Sequence, residues 1–404
     1  MRINLFIACR LKFLTFALCF LTFSGFAQTP EKNGAYLSIV GDCISCHTAP
    51  SGKPLAGGLK MNSPFGYVLT PNITPDLATG IGSWTKDDFF GAVHNGVSKK
   101  GYDLYPVMPF TSYTKVSRAD VDAIYDYLKT VPPVSNPVQV NHLDFPFNIR
   151  SSMIVWRELF FKPGFFKPDP QQSSVWNRGA YLVEGLAHCA ECHTPRNLMG
   201  AMESSKLFSG AAVDGWYALN LTSNIATGLG SWSAQDIANY LKTGSYPGKT
   251  TALGPMEEVV HNSTSRMTDA DLLAIATYLK SVPPSSKLNG ADRKVDATKL
   301  EGIRLYVDNC SGCHQSTGKG IAKVIPPLAG NPSVTDPSGF NIVKVIIRGI
   351  QARDGYIPMP SFAAQLNDEE IAELANYIRT SWGNSASANV TSAIVKKIRA
   401  NPGI

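Results

Sequence analysis

The sequence predicts a mostly helical protein built from three tandem copies of one small unit. Three observations predict it. The pattern C-x-x-C-H occurs three times, as Cys43-Ile-Ser-Cys46-His47, Cys189-Ala-Glu-Cys192-His193 and Cys310-Ser-Gly-Cys313-His314. Each copy follows a short aromatic-bearing helical stretch (NGAYLSIVGD, RGAYLVEGLAH, EGIRLYVDN), and a second helical stretch closes each unit. A phrase at 72–84, NITPDLATGIGSW, also returns at 220–232 as NLTSNIATGLGSW, an internal repeat that outweighs any single-element reading.

In chain order, residues 1–27 read as a signal peptide. Arg2, Arg10 and Lys12 form a basic front, Phe13–Phe23 is an apolar run too short to span a bilayer, and Gly25-Phe26-Ala27 is a small-x-small cleavage site. The mature chain is therefore expected to be exported, to a periplasm or the periplasmic face of the inner membrane. Its loss takes the formal charge from +6 to +3 and leaves no basic stripe, which sets nucleic acid aside. The expected boundaries are a first unit at 28–140, an aromatic-rich linker at 141–170, a second unit at 171–286, a polar linker at 287–296, a third unit at 297–383 and a short tail at 384–404.

Cys9 and Cys19 leave with the leader, so all six remaining cysteines belong to the C-x-x-C-H motifs. That spacing is the attachment signature of c-type haem. Two thiols one helical turn apart add to two vinyl groups, and the adjacent histidine reaches the iron. Zinc would need four converging ligands, a redox C-x-x-C would need a βαβ context, and disulfides would not need the histidines. Three covalently bound haem c groups are therefore expected, on Cys43 and Cys46, Cys189 and Cys192, and Cys310 and Cys313, with His47, His193 and His314 on the irons.

The closing helices begin at Ser117, Thr268 and Asn367, each a capping residue with an acid three positions later (Asp120, Asp271, Glu370). Apolar residues such as Val121, Ile124 and Leu128 then recur at helical spacing. Tyr36 with Tyr127, Tyr181 with Tyr278 and Tyr306 with Tyr377 are expected to join first and last helices by core packing within each unit.

Between those helices every unit holds one methionine beside proline or glycine: Tyr105-Pro-Val-Met108-Pro109, Gly254-Pro-Met256 and Ile357-Pro-Met359-Pro360. Met108, Met256 and Met359 stand 61, 63 and 45 residues beyond the motif histidines. A thioether is a soft sixth ligand that favours ferrous iron. A lone methionine is usually core filler, but three at equivalent places in stiff loops are expected to be ligands. Met61, Met153, Met199, Met202 and Met267 lack that placement. His94, His142, His188 and His261 remain alternative ligands, with ordinary surface or core roles preferred.

The repeated phrase lies between histidine and methionine in units one and two alone. Its glycines permit a tight backbone, and Trp84 and Trp232 are candidates for the haem edge, with core anchoring an equal alternative. Thr85 with Asp88 and Ser233 with Asp236 should cap the next helix. Phe145, Phe147, Trp156, Phe160, Phe161, Phe165 and Phe166 crowd the first linker, which is expected to be buried between two units in preference to under a partner. Val390, Ile394, Val395 and Ile398 would make a short amphipathic helix in the tail.

With these residues in place, the chain resembles the three-haem cytochrome c subunits of membrane-associated sugar, gluconate and alcohol dehydrogenases, over about residues 33–382. The stretches SPFGYVLTPNITPDLATGIGSW, LYPVMPFTSYT, LDFPFNIRSSMIVW and GPMEEVV carry the resemblance. It implies three class I cytochrome c domains and the axial pairs His47/Met108, His193/Met256 and His314/Met359. It also implies a non-catalytic relay, from a flavin-, quinone-cofactor- or molybdenum-dependent large subunit that oxidises a sugar acid, alcohol or aldehyde to ubiquinone or another respiratory acceptor. Membrane association would come from the chain or from its partner. The alternative is a haem enzyme with an open iron, peroxidase-like or oxidising sulfur compounds. No nucleophile–base set or carboxylate pair calls for other chemistry.

Overall fold

A glycine in the first helix of each unit decides how that unit closes. The computed structural model describes residues 30–139, 141–225, 227–285, 300–352 and 355–400; the leader read at 1–27 and the linker read at 287–296 lie outside the described residues. Unit one holds α1 (Pro30–Val40), α2 (Cys43–Cys46), β1 (Lys60–Ser63), β2 (Gly66–Leu69), α3 (Lys86–Asn95), α4 (Phe110–Tyr113) and α5 (Arg118–Leu128), followed by β3 (His142–Leu143) and α6 (Ser152–Phe160). Unit two holds α7 (Ser174–Tyr181), a π-helical turn (Leu182–Leu186), α8 (Ala190–His193), β4 (Ala211–Val213), β5 (Trp216–Ala218) and α9 (Ala234–Thr243). It continues through β6 (Ser245–Tyr246), β7 (Thr250–Thr251), α10 (Pro255–Asn262) and α11 (Asp269–Ser281). Unit three holds α12 (Leu300–Asn309), α13 (Ser311–His314), α14 (Phe340–Arg348) and α15 (Asp368–Thr380), followed by α16 (Ser392–Ala400).

In every unit the first helix crosses the closing helix: α1 on α5, α7 on α11, α12 on α15. A Cβ on Gly34 would fall 1.9 Å from the Ala123 carbonyl oxygen, and one on Gly179 would fall 1.9 Å from that of Ala274. On Gly302 it would meet Tyr377 Cβ at 2.8 Å. No side chain fits there, so backbone lies on backbone and the helices approach as closely as their main chains allow. The small sheets are antiparallel hairpins, β1 with β2 (Lys60 opposite Leu69), β4 with β5 and β6 with β7; β3 adds to β2.

Units one and two share one core, which runs from Leu37 and Leu128 to Leu182 and Leu279; unit three builds its own around Leu305, Tyr306, Ile371 and Ile378. The predicted caps form, with Ser117 accepting from Asp120 N–H, Thr268 from Asp271 N–H and Asn367 from Glu370 N–H. In unit three Glu370 reaches back to the Asn367 N–H at 2.8 Å and completes its own box. In units one and two a tyrosine of the other unit intervenes. The Ser117 N–H donates to the Tyr181 hydroxyl, which donates to Asp120; the Thr268 N–H donates to the Tyr36 hydroxyl, which donates to Asp271. This corrects the expected pairing. Tyr36 and Tyr181 brace across the units, while the rings of Tyr306 and Tyr377 do pack together within unit three, 5.6 Å apart.

Two further expectations change. The aromatic run at 145–166 is only half buried. Trp156 and Phe161 pack with Met153 on Phe110, while Phe145 is 79% exposed and Leu159 63%. An α-helix has two sides, and α6 has a partner for only one. The tail helix α16 forms, but its apolar side is spent on unit three: Val390, Val395 and Ile398 are buried there. Arg399 locks it with bonds to Asp368, the Ala363 carbonyl and the Leu366 carbonyl at 2.6–2.9 Å. Among the described residues no helix is long and apolar enough to cross a membrane.

Candidate haem sites

Each C-x-x-C-H motif folds as a single helical turn directly after its unit's first helix, in α2, α8 and α13. Each motif histidine engages a main-chain carbonyl through Nδ1: His47 with Pro71 at 2.8 Å, His193 with Leu219 at 2.6 Å, His314 with Pro326 at 3.1 Å. A carbonyl accepts, so Nδ1 carries the proton and Nε2 is left with the lone pair that a metal requires. Burial lowers the basicity of all three rings, which keeps them neutral.

Those carbonyls explain the repeated phrase. Pro71 and Leu219 stand immediately before it. Asn72, buried, accepts from Thr74 N–H and donates to Thr79 Oγ1 and to the Val134 carbonyl beyond α5. Asn220 repeats the scheme with Thr222, Thr227 and Ser285. The loop then folds onto itself, with Ile81 N–H on the Thr74 carbonyl and Leu229 N–H on that of Thr222. Cβ atoms on Gly80 or Gly228 would sit 2.1 and 2.3 Å from those same oxygens, so only glycine closes the turn. A chemically quiet loop thus fixes the atom that orients the histidine. Unit three does this in fewer residues.

The candidate edge tryptophans differ in setting. Trp232 is buried edge-on to Tyr240 and Tyr246, at 5.6 and 4.5 Å. Trp84 is half-buried against the same shared core. Both settings match a core anchor.

No disulfide joins the six described cysteines. Burial pushes the thiols of Cys43, Cys46, Cys189 and Cys310 up to about 12 and that of Cys192 to about 11, which marks their surroundings as apolar. In unit three Cys310, Cys313, His314 and Met359 line one cavity of about 150 Å³. Ile325, Leu328, Ile342, Ile346 and Phe362 make its walls apolar. A flat apolar macrocycle held by two sulfurs and an imidazole fits that donor set.

Met359 is held in a bridge to Ile350, with both main-chain bonds at 2.8–2.9 Å. Met108 precedes α4 and packs on the same core as Cys43. Met256 is half-buried in the first turn of α10. Of the alternative histidines, His261 is exposed on α10, five residues after Met256, and His188 directly precedes Cys189. His94 lies buried against Phe90 and Phe165, and His142 stacks on Tyr67. His188 is edge-on to Tyr113 at the junction of units one and two. Met267, fully buried, is core.

Units one and two brace each other's motifs. Asn262 of α10 donates to Ser45 inside the first motif at 2.8 Å. Thr111 and Ser112 of α4 donate to Glu191 inside the second motif at 2.7 and 2.8 Å. Sequence reading missed this exchange, and also the two asparagines. The one available signal for the asparagines was their identical place at the head of both repeats.

The sequence profile of the cytochrome c family matches residues 31–132, 177–283 and 300–382, one stretch per unit. The chain is 38% identical over 420 residues to the cytochrome c subunit of the quinone-dependent alcohol dehydrogenase of Komagataeibacter europaeus, covering 96% of this chain and 90% of that one. It is 38% identical over 395 residues to the gluconate 2-dehydrogenase cytochrome c subunit of Pantoea cypripedii, covering 91% and 89%. It is 39% identical over 404 residues to the fructose dehydrogenase cytochrome subunit of Gluconobacter japonicus, covering 91% and 82%. Three helical units, each with its C-x-x-C-H turn and carbonyl-bound histidine, match these relatives over nearly their whole length: the chain belongs to the cytochrome c family, as a three-domain member homologous to the cytochrome c subunits of alcohol and gluconate dehydrogenases.

Proposed function

We propose that this chain is the electron-relay subunit of an exported dehydrogenase complex, with one haem c in each unit. Cys43 and Cys46, Cys189 and Cys192, and Cys310 and Cys313 would form the thioether links. His47 with Met108, His193 with Met256 and His314 with Met359 would be the axial pairs. Bound haem supplies reversible one-electron exchange at iron, tuned by its axial ligands and burial. The polypeptide does the rest. It fixes each imidazole through a backbone carbonyl, excludes water with apolar walls, and joins units one and two so that their motifs hold a constant separation.

The observation that carries this reading is the unit-three cavity, where the two cysteines and histidine of one motif and a methionine 45 residues further on face one apolar space. The donor would be a large flavin-, quinone-cofactor- or molybdenum-dependent subunit, and the acceptor ubiquinone or another respiratory carrier. Relatives named for alcohol, gluconate and fructose dehydrogenases leave the choice of substrate to that large partner. The relay would work in the periplasm or at the periplasmic face of the inner membrane, attached directly or through the partner.

The test is purification of the native complex, followed by stopped-flow addition of the large subunit's substrate. Reduction of c-haem in this chain supports the reading. Turnover of substrate with this chain left fully oxidised overturns it.

A further inference from the structure

Unit three grips unit two through two buried polar side chains, and their hold lies under the Met256 loop. Asn341 of α14 is 4% exposed and binds the Tyr217 main chain of β5 twice, accepting from its N–H at 2.8 Å and donating to its carbonyl at 3.0 Å. One turn on, Lys344 is 1% exposed, donates to the Asp214 carbonyl at 2.7 Å, and lies over the Trp216 ring at 4.8 Å. Burying an ammonium carries a desolvation cost that an apolar side chain would avoid. A helix needing contact alone would not use lysine there. A carbonyl and an indole face are the groups a desolvated cation rewards.

Trp216 in turn supports Gly254. A Cβ on Gly254 would fall 2.5 Å from Trp216 Nε1 and Cε2, so this backbone rests directly on the indole. Gly254 is the cap of α10, with positive φ, and Met256 is the second residue of that helix. The segment leading into Gly254 faces unit three: Thr250 and Thr251 of β7 and Leu253 line the unit-three cavity beside Cys310, His314 and Met359. One short segment is therefore the wall of one site and the support of the next ligand loop.

We infer that Lys344 and Asn341 are positioning residues for the second haem site: through Trp216 they hold the Met256 loop, so that seating of unit three sets the axial bond of unit two. The inference rests on Met256 being an axial ligand, as proposed above. It also makes unit three a control on the potential of its neighbour, beyond its own share of the relay.

The test uses the full-length haem-loaded protein and two readouts, the long-wavelength band of ferric haem that reports methionine–iron bonds, and the stepwise redox titration. Met256→Ala should remove about one third of the band. Lys344→Met, which keeps the stem and loses the charge, should lower the same part of the band and shift one redox step downward. The double variant should lose no more than Met256→Ala alone. Trp216→Phe should retain the band. If Lys344→Met takes up fewer than three haems per chain, Asn341→Ser, which opens the clamp more gently, decides by the same readouts. A full band and unmoved redox steps in the deciding variant, beside a reduced band in Met256→Ala, overturn this inference and leave the axial reading standing. A full band in Met256→Ala overturns both.

Discussion

Tyr36 donates its hydroxyl to the Asp271 carboxylate at 2.6 Å across the junction of units one and two, and Arg178 binds that carboxylate through both oxygens at 2.8 Å. The symmetric contact, Tyr181 to Asp120, inserts unit two into the cap of unit one. Each unit thus completes a helix of the other, and neither closing helix is fully capped alone. A half-buried bond to a charged group is worth about 1.5–3 kcal/mol.

Tyr36→Phe should therefore destabilise the joined units by about 1.5–3 kcal/mol while unit three keeps its own transition. Denaturant unfolding followed by tryptophan fluorescence and haem absorbance measures it. Equal loss in all three units would contradict the separate cores.

The same junction carries a pH dependence. Burial alone would raise Asp271, but the bonds from Arg178 and Tyr36 outweigh it and hold the carboxyl below its ordinary range. A carboxylate depressed on folding contributes stability above its unfolded value of about 4, and the contribution fades as pH falls through the folded value. Stability of units one and two should decline below about pH 4 more steeply in the wild type than in Asp271→Asn. Parallel decline would remove Asp271 from the account.

Gly179→Ala places a methyl carbon 1.9 Å from the Ala274 carbonyl oxygen, a clash with backbone that no rotamer relieves. It should cost about 3 kcal/mol and lower the yield of haem-loaded protein. Gly164→Ala, where a Cβ meets nothing within 4 Å, is the control and should have little effect. Similar yields for both would contradict the close crossing.

Asn220→Ala leaves the Thr222 N–H without its acceptor in a buried loop and frees the carbonyl that orients His193. A cost of about 1–3 kcal/mol is expected, together with a shift in one haem potential. Unchanged potentials would limit the asparagine to loop stability.

Val395→Asp separates two roles for the tail. Val395 is buried in the core of unit three. A carboxylate there should unfold that unit early, measured by calorimetry, and leave sedimentation with lipid vesicles as it was. Loss of vesicle binding with unchanged melting would assign the tail to a membrane surface instead.

The helical units and their order were legible because Cys43, Cys189 and Cys310 announce the same chemistry at the same place. Capping residues such as Ser117 and Thr268 likewise fix helix starts by local hydrogen bonding alone. What the sequence hid was partner choice. Tyr36 and Tyr181 look like core residues of their own units, and only tertiary packing sends their hydroxyls into the neighbour's cap. Both α6 and α16 carry apolar residues, yet one helix is half uncovered and the other is sealed by Arg399, because periodicity marks an apolar face without naming what covers it. Pro71, Leu219 and Pro326 were invisible for a simpler reason. Their contribution is a carbonyl oxygen that every residue has.

The most direct test of the account is the number of methionine–iron bonds in the native protein, read from the long-wavelength ferric band alongside addition of carbon monoxide to the reduced form. The account predicts three such bonds per chain and no carbon monoxide adduct. Fewer bonds together with an adduct at any native iron would show an open site and contradict a pure electron relay.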